Sequence, residues 1–243
     1  MAGGRAVTGI VVAIDGPSGS GKSTISKRLA AGRGLAYLDT GAMYRAATWW
    51  CVHEQIDLTD QDAVATAVRE MPLELGLYPQ EPTFTVAGTD VAAAIRSTEI
   101  STAVSTVATN MAVRAELQRR QRDIVASETR GGFSQGRGVV AEGRDVTTVV
   151  APQAQVRILL LADEQARLQR RAKELHGTTD TDALEATRDQ VVRRDADDST
   201  VSNFTTAADG VVTVDTSALT LQEALAAVQD VVARWETTAG EDV

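Results

Sequence analysis

The chain of 243 residues holds a single cysteine, Cys51, and two histidines, His53 and His176. One cysteine cannot close an internal disulfide or build a zinc knuckle, which points to a reducing compartment, and a lone thiol of this kind is expected to fill a core. The two histidines have no ligating partners at metal spacing, so structural or surface roles are expected for both. No run approaches the ~18 apolar residues of a membrane span. The opening Met1–Gly9 offers no apolar stretch long enough for a signal peptide. Positive charge is also in deficit: the formal net charge is −9. That excludes a chain that clings to nucleic acid by its general field, and it requires any polyanionic ligand to be held by local basic groups. With 43% hydrophobic and 23% charged residues the composition is ordinary for a globular protein. The expectation is a cytoplasmic monomer with no nucleic-acid or membrane partner.

What is present reads as strands alternating with helices. Gly9–Ile14 is a short apolar, β-branched run without alternation, as a parallel strand buried on both faces would be. A glycine-rich turn follows, then a helix from Thr24. Ala36–Leu38 predicts a second strand, followed by a helix through Tyr44–Trp50. From Pro72 to Ile95 the character changes: Leu73, Leu75, Leu77 and then Thr83–Val86 suggest short antiparallel strands in an inserted patch. Helical spacing returns from Thr102 to about Val125, Gly131–Gly136 reads as a loop, and Val139–Ala141 as a strand. Val156–Leu161 predicts a further buried strand. It leads into an arginine-rich helix over Glu164–Leu175, a loop over Gly177–Asp182 and a helix from Leu184 to about Arg194. Val211–Val214 predicts the last strand. The final helix opens on a capping box, Thr220 with Glu223, and carries Leu221, Leu225, Val228, Val232 and Trp235 on one face. This order predicts an α/β fold with a parallel sheet covered on both sides.

The turn after the first strand carries the chemistry. Gly16-Pro17-Ser18-Gly19-Ser20-Gly21-Lys22-Ser23-Thr24 matches the P-loop pattern, in which backbone N–H groups curl around phosphate at the start of a helix. Lys22 is placed to reach the β- and γ-phosphates of a nucleotide, and Ser23 to bind Mg²⁺. No DxxG element with an NKxD base reader accompanies it, which excludes a GTPase switch. A remodelling ATPase would want a longer chain. A small-molecule kinase is favoured.

A kinase for a small anion needs arginines near the acceptor, because planar guanidiniums grip phosphate in bidentate fashion. A solvated helix face is the commoner fate of any one arginine. The exceptions here stand beside glycine turns at predicted strand ends: Asp39-Thr40-Gly41-Ala42-Met43-Tyr44-Arg45 and Glu142-Gly143-Arg144-Asp145. Those are the carboxyl edges where open α/β sheets bind ligands.

These two segments and the P-loop, together with Asp90–Arg96, Val113-Arg114 and Arg194-Asp195-x-x-Asp198-Ser199, closely resemble the bacterial cytidylate kinases, in order and over almost the whole chain. The resemblance implies one P-loop kinase domain over 1–243, with a nucleoside-monophosphate-binding insertion at about 63–104 and a helical lid at about 165–200. It implies transfer of the γ-phosphoryl group of ATP, with Mg²⁺, to CMP or dCMP in pyrimidine nucleotide metabolism. Thr40, Tyr44 and Arg45 would meet the acceptor nucleotide, and Ser105, Arg114 and Asp145 would read its cytosine edge. Arg144, Arg194 and Asp198 would approach its phosphate and ribose, and Arg170 would belong to the ATP site. Lys22, Arg144 and Arg194 would be the catalytic charges.

The base reading is sound chemistry in its own right. Cytosine offers an N4 amino donor beside N3 and O2 acceptors. A carboxylate and a guanidinium complement that edge, whereas uracil reverses two of its signs. The lid departs from the family pattern: Val201 stands where an arginine is usual, and Ser202–Thr206 replaces a Ser-Pro-Leu type of segment. Arg193 is a candidate to supply the missing charge. Two other readings compete with a cytidylate kinase: a P-loop kinase for a different small acceptor, and a regulatory protein that uses ATP only as a ligand.

Overall fold

A computed structural model describes residues 9–241. Five parallel strands form the central sheet: β1 (Ile10–Asp15), β2 (Ala36–Asp39), β6 (Gly138–Gly143), β7 (Val156–Leu161) and β8 (Val212–Asp215), in the order β2-β6-β1-β7-β8. Val12, Ala13 and Ile14 of β1 are fully buried, as their unbroken apolar run requires of a central strand. Helices α1 (Lys22–Arg33) and α8 (Leu221–Glu241) cover one face, where Ile14, Leu29, Ile158 and Val228 meet in one core. On the other face Ala13, Leu38, Met43 and Val125 pack with residues from α2 (Thr40–His53) and α5 (Met111–Glu128).

A second core lies beside the sheet. It is built by α2 and α5 with α3 (Gln61–Glu70), α4 (Thr98–Ala108) and a small antiparallel sheet of β3 (Leu73–Gly76), β4 (Thr83–Val86) and β5 (Thr89–Asp90). Cys51 is buried in it, as a core filler should be. The adjacent tryptophans Trp49 and Trp50 both pack against it only partly, and the Trp50 indole N–H donates to the Ala67 carbonyl (3.1 Å). Last comes a helical hairpin of α6 (Glu164–His176) and α7 (Thr181–Ser199), whose second arm also touches α4.

Three sequence expectations change. The helical stretch from Thr102 to Val125 is two helices, broken at Asn110, whose side chain accepts from the Ala112 and Val113 amides and caps α5. The loop after Gly177 is short, because Asp180 caps α7 through the Ala183 amide and starts it early. Leu221 is not on the buried stripe of α8; it is exposed at the mouth of the cleft, while Ala224, Val228 and Val232 fill the core. The α8 capping box forms as expected, with the Thr220 amide donating to Glu223 (2.8 Å) and the Glu223 amide to the Thr220 hydroxyl (3.3 Å). Among the described residues no helix is long and apolar enough to cross a membrane.

A π-helical turn over Val146–Val150 was not foreseen. It is held by Asp15, which accepts from the Val146 amide (3.0 Å), the Thr147 amide (2.8 Å) and the Thr147 hydroxyl (2.6 Å). Burial nonetheless pushes the Asp15 carboxyl up from 3.8 to about 6, against the pull of those donors. The folded value lies above the unfolded one. The folded state therefore keeps the proton more tightly, and this group's stabilisation is complete below about pH 4 and lost as pH rises through 6, by roughly 3 kcal/mol. Asp15→Asn removes that titration. Wild type is expected to gain stability relative to the variant as pH falls from 7 to 4.5 in denaturant titrations; parallel pH profiles would count against it.

Candidate active site

Because the sheet is parallel, β1, β2 and β6 end on one edge, in register: Asp15 opposite Gly143, and Asp39 opposite Glu142. A cleft of about 1020 Å³ opens there, running from the P-loop to α4 and the start of α5.

At one end the chain leaves β1 through Gly16 and Gly19, at φ 156° and 79°. A side chain at Gly16 would meet the Leu160 carbonyl at 2.3 Å, and one at Gly19 the Arg167 carbonyl at 2.6 Å. The loop is therefore pressed between β7 and α6 with no room for a Cβ, and glycine is the residue that fits. α1 begins at Lys22 with no side-chain cap, so its first N–H groups stay available to an anion. The Lys22 ammonium reaches back to the Pro17 carbonyl (3.2 Å). Ser18 through Thr24 all line the cleft; Gly16 and Pro17 do not.

Behind the P-loop sits Glu142. Its carboxylate is fully buried, accepts from the Tyr37 hydroxyl (2.7 Å) and is hydrogen-bonded by Ser23. Burial and the nearby Asp39 push its carboxyl up, while Lys22 and Ser23 pull it down. The Tyr37 hydroxyl is in turn held well above its usual range by burial, and next by the Glu142 charge. The donors gathered beside Ser23 are all oxygens, a set that suits a hard cation such as Mg²⁺. Among the described residues no group of three His, Cys, Asp or Glu side chains could hold a metal by itself. Sequence reasoning passed over Glu142 as a site residue, although it stands at the end of the strand next to the P-loop strand.

The middle of the cleft is a set of charge pairs. Arg144 meets both Asp195 (2.8 Å) and Asp198, and its guanidinium lies over the Phe204 ring at 4.8 Å. Burial pulls its pKa down to about 10, so it stays cationic at neutral pH. Asp195 also pairs with Arg167 and accepts from the Ser18 amide (3.3 Å), and Arg167 donates to the Ser18 carbonyl (3.1 Å). The α6–α7 hairpin is thus tied directly to the P-loop. Arg170 lines the cleft and donates to the Thr216 hydroxyl (3.0 Å). The Arg194 side chain lies outside the described residues. Arg193 is exposed on α7 and does not line the cleft; Arg167, one arm away on α6, is the guanidinium that reaches the P-loop. Val201, beyond the end of α7, is half-buried.

The far end gathers the acceptor-side residues. Asp39 caps α2 through the Ala42 amide (2.8 Å) and pairs with Arg45 (3.2 Å). The Thr40 hydroxyl donates to the Glu142 carbonyl (2.7 Å). Arg114 pairs with Asp145, both nearly buried, and its guanidinium sits 5.8 Å from the centre of the Tyr44 ring. Burial holds the Tyr44 phenol well above its usual range. The Tyr44 hydroxyl and Arg45 Nε are buried with no hydrogen-bond partner among the described residues, unlike most buried polar atoms. From α4 the cleft takes Ser101, Val104 and Ala108. Ser105 is half-buried and is not part of the lining. Of the expected residues whose side chains are described, all but Gly16, Pro17 and Ser105 line one cleft.

The cytidylate kinase family model matches residues 12–234. Cytidylate kinase of Streptomyces avermitilis is 45% identical over 222 residues, covering 91% of each chain. That of Nocardia farcinica is 44% identical over 233 residues, covering 95% of this chain and 97% of its own. That of Cutibacterium acnes is 44% identical, covering 92% and 96%. With a phosphate cradle and a buried arginine–carboxylate pair lining one cleft, and with the family match over residues 12–234 and relatives covering more than nine-tenths of its length, the chain belongs to the cytidylate kinase family.

Proposed function

We propose that the protein transfers the γ-phosphoryl group of ATP to CMP or dCMP, giving ADP and the cytidine diphosphate. The observation that carries this reading is the Arg114–Asp145 pair, nearly buried at the end of the cleft opposite the P-loop. A carboxylate accepts from the cytosine amino group while the guanidinium donates to the ring acceptors beside it. A buried site built for hydrogen bonds rejects a mismatched edge strongly, because its own groups are left unpaired.

The chemistry needs positioning and charge more than a base, since the acceptor is already an anionic phosphate oxygen. Lys22 and the amides at the start of α1 hold the donor phosphates, with Arg170 on the wall of that site. Arg144 and Arg45 face the space between the two nucleotides, where charge builds on the transferred group. Arg194 is assigned to the same set by the family pattern. Ser23 would hold Mg²⁺, which supplies charge neutralisation between the β- and γ-phosphates. Residues at about 63–104 are read as the acceptor-binding insertion and those at about 165–200 as the lid. The packing of α3, α4 and the small sheet on α2 and α5, beside the main sheet, and the ties from Arg167 and Asp195 to the P-loop support that division. Closure of such a lid excludes water and limits hydrolysis.

Coupled ADP release across CMP, dCMP, UMP, AMP, GMP and no acceptor tests the assignment. CMP and dCMP are expected to be turned over at least about a hundredfold more efficiently than UMP. Equal rates with UMP would reject the base reading, and a flat response across acceptors would favour a protein that only binds ATP.

A further inference from the structure

The Asp145 carboxylate is held on one side only. Its Oδ2 accepts from Arg114 Nη2 and also from Gln118 Nε2 (2.7 Å), and no donor among the described residues reaches its Oδ1. Arg114 and Gln118 are four residues apart in α5 and so share one face of that helix. Asp145 lines the cleft, whereas Gln118 is half-buried and does not. A single donor leaves a carboxylate free to swing about the bond to its Cβ. Two donors fixed on one helix, both on the same oxygen, set the plane of the group and turn the other oxygen outward.

We infer that Gln118 is a specificity-determining positioning residue: it fixes the Asp145 carboxylate so that Oδ1 faces the acceptor base as an oriented hydrogen-bond acceptor. The inference rests on the proposed role of Asp145 as base reader. Gln118 touches neither substrate. Its effect passes through Asp145, and it therefore acts on the sign of recognition, amino group against carbonyl, and not on phosphoryl transfer. Arg114 alone would hold Oδ2, but it also donates to the Ala108 carbonyl (3.3 Å) and sits against Tyr44. It cannot set the carboxylate plane without a second anchor.

The experiment is a steady-state comparison of CMP and UMP with two variants of the full chain. Gln118→Met keeps length and removes the donor. It is expected to raise KM for CMP about tenfold and to lower the CMP-to-UMP ratio of kcat/KM by a similar factor, the effect of losing one hydrogen bond to a charged group. KM for ATP should move less than twofold, and kcat at saturating CMP far less than KM. Gln118→Glu keeps the shape but sets a second carboxylate against Asp145, so its loss of CMP preference should exceed that of Gln118→Met. An unchanged preference in both variants overturns the inference. So does a loss of kcat and ATP affinity in step with CMP affinity, which would mark a purely structural role. Asp145→Asn in the same assay keeps the two readings apart. If it leaves the preference unmoved, Asp145 does not read the base and the proposed reading fails. If it changes the preference while the Gln118 variants do not, only the inference about Gln118 falls.

Discussion

Lys22→Ala is expected to lower kcat about a thousandfold with every acceptor alike, the scale seen when one preorganised charge is removed from a developing anion. Lys22 opens α1, and its ammonium folds back over the loop to the Pro17 carbonyl, close enough to Glu142 to lower the proton affinity of that carboxyl. The other lysine that lines the cleft among the described residues, Lys27, sits over the Tyr37 ring, 5.5 Å from its centre. Of the arginines that line the cleft, Arg144 is held by Asp195 and Asp198, Arg45 by Asp39 and Arg114 by Asp145. They cannot move to the vacated place without breaking those pairs. The side chain is half-exposed, so the fold should hardly notice the change. Steady-state kinetics with a thermal melt beside them separate the two effects. A variant that keeps more than a tenth of wild-type kcat would show that the loop amides alone carry the transferred charge.

Asp145→Asn should produce the other large effect, and its signature is selectivity. The amide oxygen can still accept from Arg114 and Gln118, so the fold should survive, whereas removing the side chain altogether would leave a buried guanidinium unpaired at a cost of several kcal/mol. Toward the cleft the variant presents an NH₂ donor where the carboxylate presented an acceptor. It then opposes the cytosine amino group and suits the uracil carbonyl. The expected result is a fall of about a hundredfold or more in kcat/KM for CMP. UMP should gain less, because Arg114 still faces the uracil N3–H. Both numbers come from the same coupled assay. Parallel losses on CMP and UMP would mean that Asp145 supports the pocket without reading the base.

Much of this was legible in the sequence because the informative residues are local. The P-loop, the Asp39–Arg45 segment and the Glu142–Asp145 segment each follow a strand whose apolar run announces it, and a parallel sheet must bring such strand ends to one edge. What escaped notice depends on partners far along the chain. Val146-Thr147-Thr148-Val149-Val150 carries β-branched residues that suit a strand, yet it winds into a π-helical turn because Asp15, on β1, captures its first two amides. Gln118 looks like a solvated helix residue until Asp145 is placed against it. The break at Asn110 was hidden for a different reason. Neither glycine nor proline marks it, and Asn110 joins helices whose periodicity continues on both sides while its amide ties the break to the Gln61 carbonyl (2.8 Å).

The strand order also governs how the protein can be made. β1, with the P-loop at its end, pairs with no neighbour in sequence: its partners are β6, in a register that sets Ile10 beside Gly138, and β7 beyond it. During synthesis the phosphate cradle therefore waits, unpaired, until the whole insertion and α5 have emerged. The interval exposes the Val11–Ile14 edge on both sides, and long-range parallel pairing of this kind is slow to form. The core that α3, α4 and the small sheet share with α2 and α5 does not include β1 and can form while β1 waits. Nucleotide binding should accordingly appear late in folding, once β6 and β7 have paired with β1.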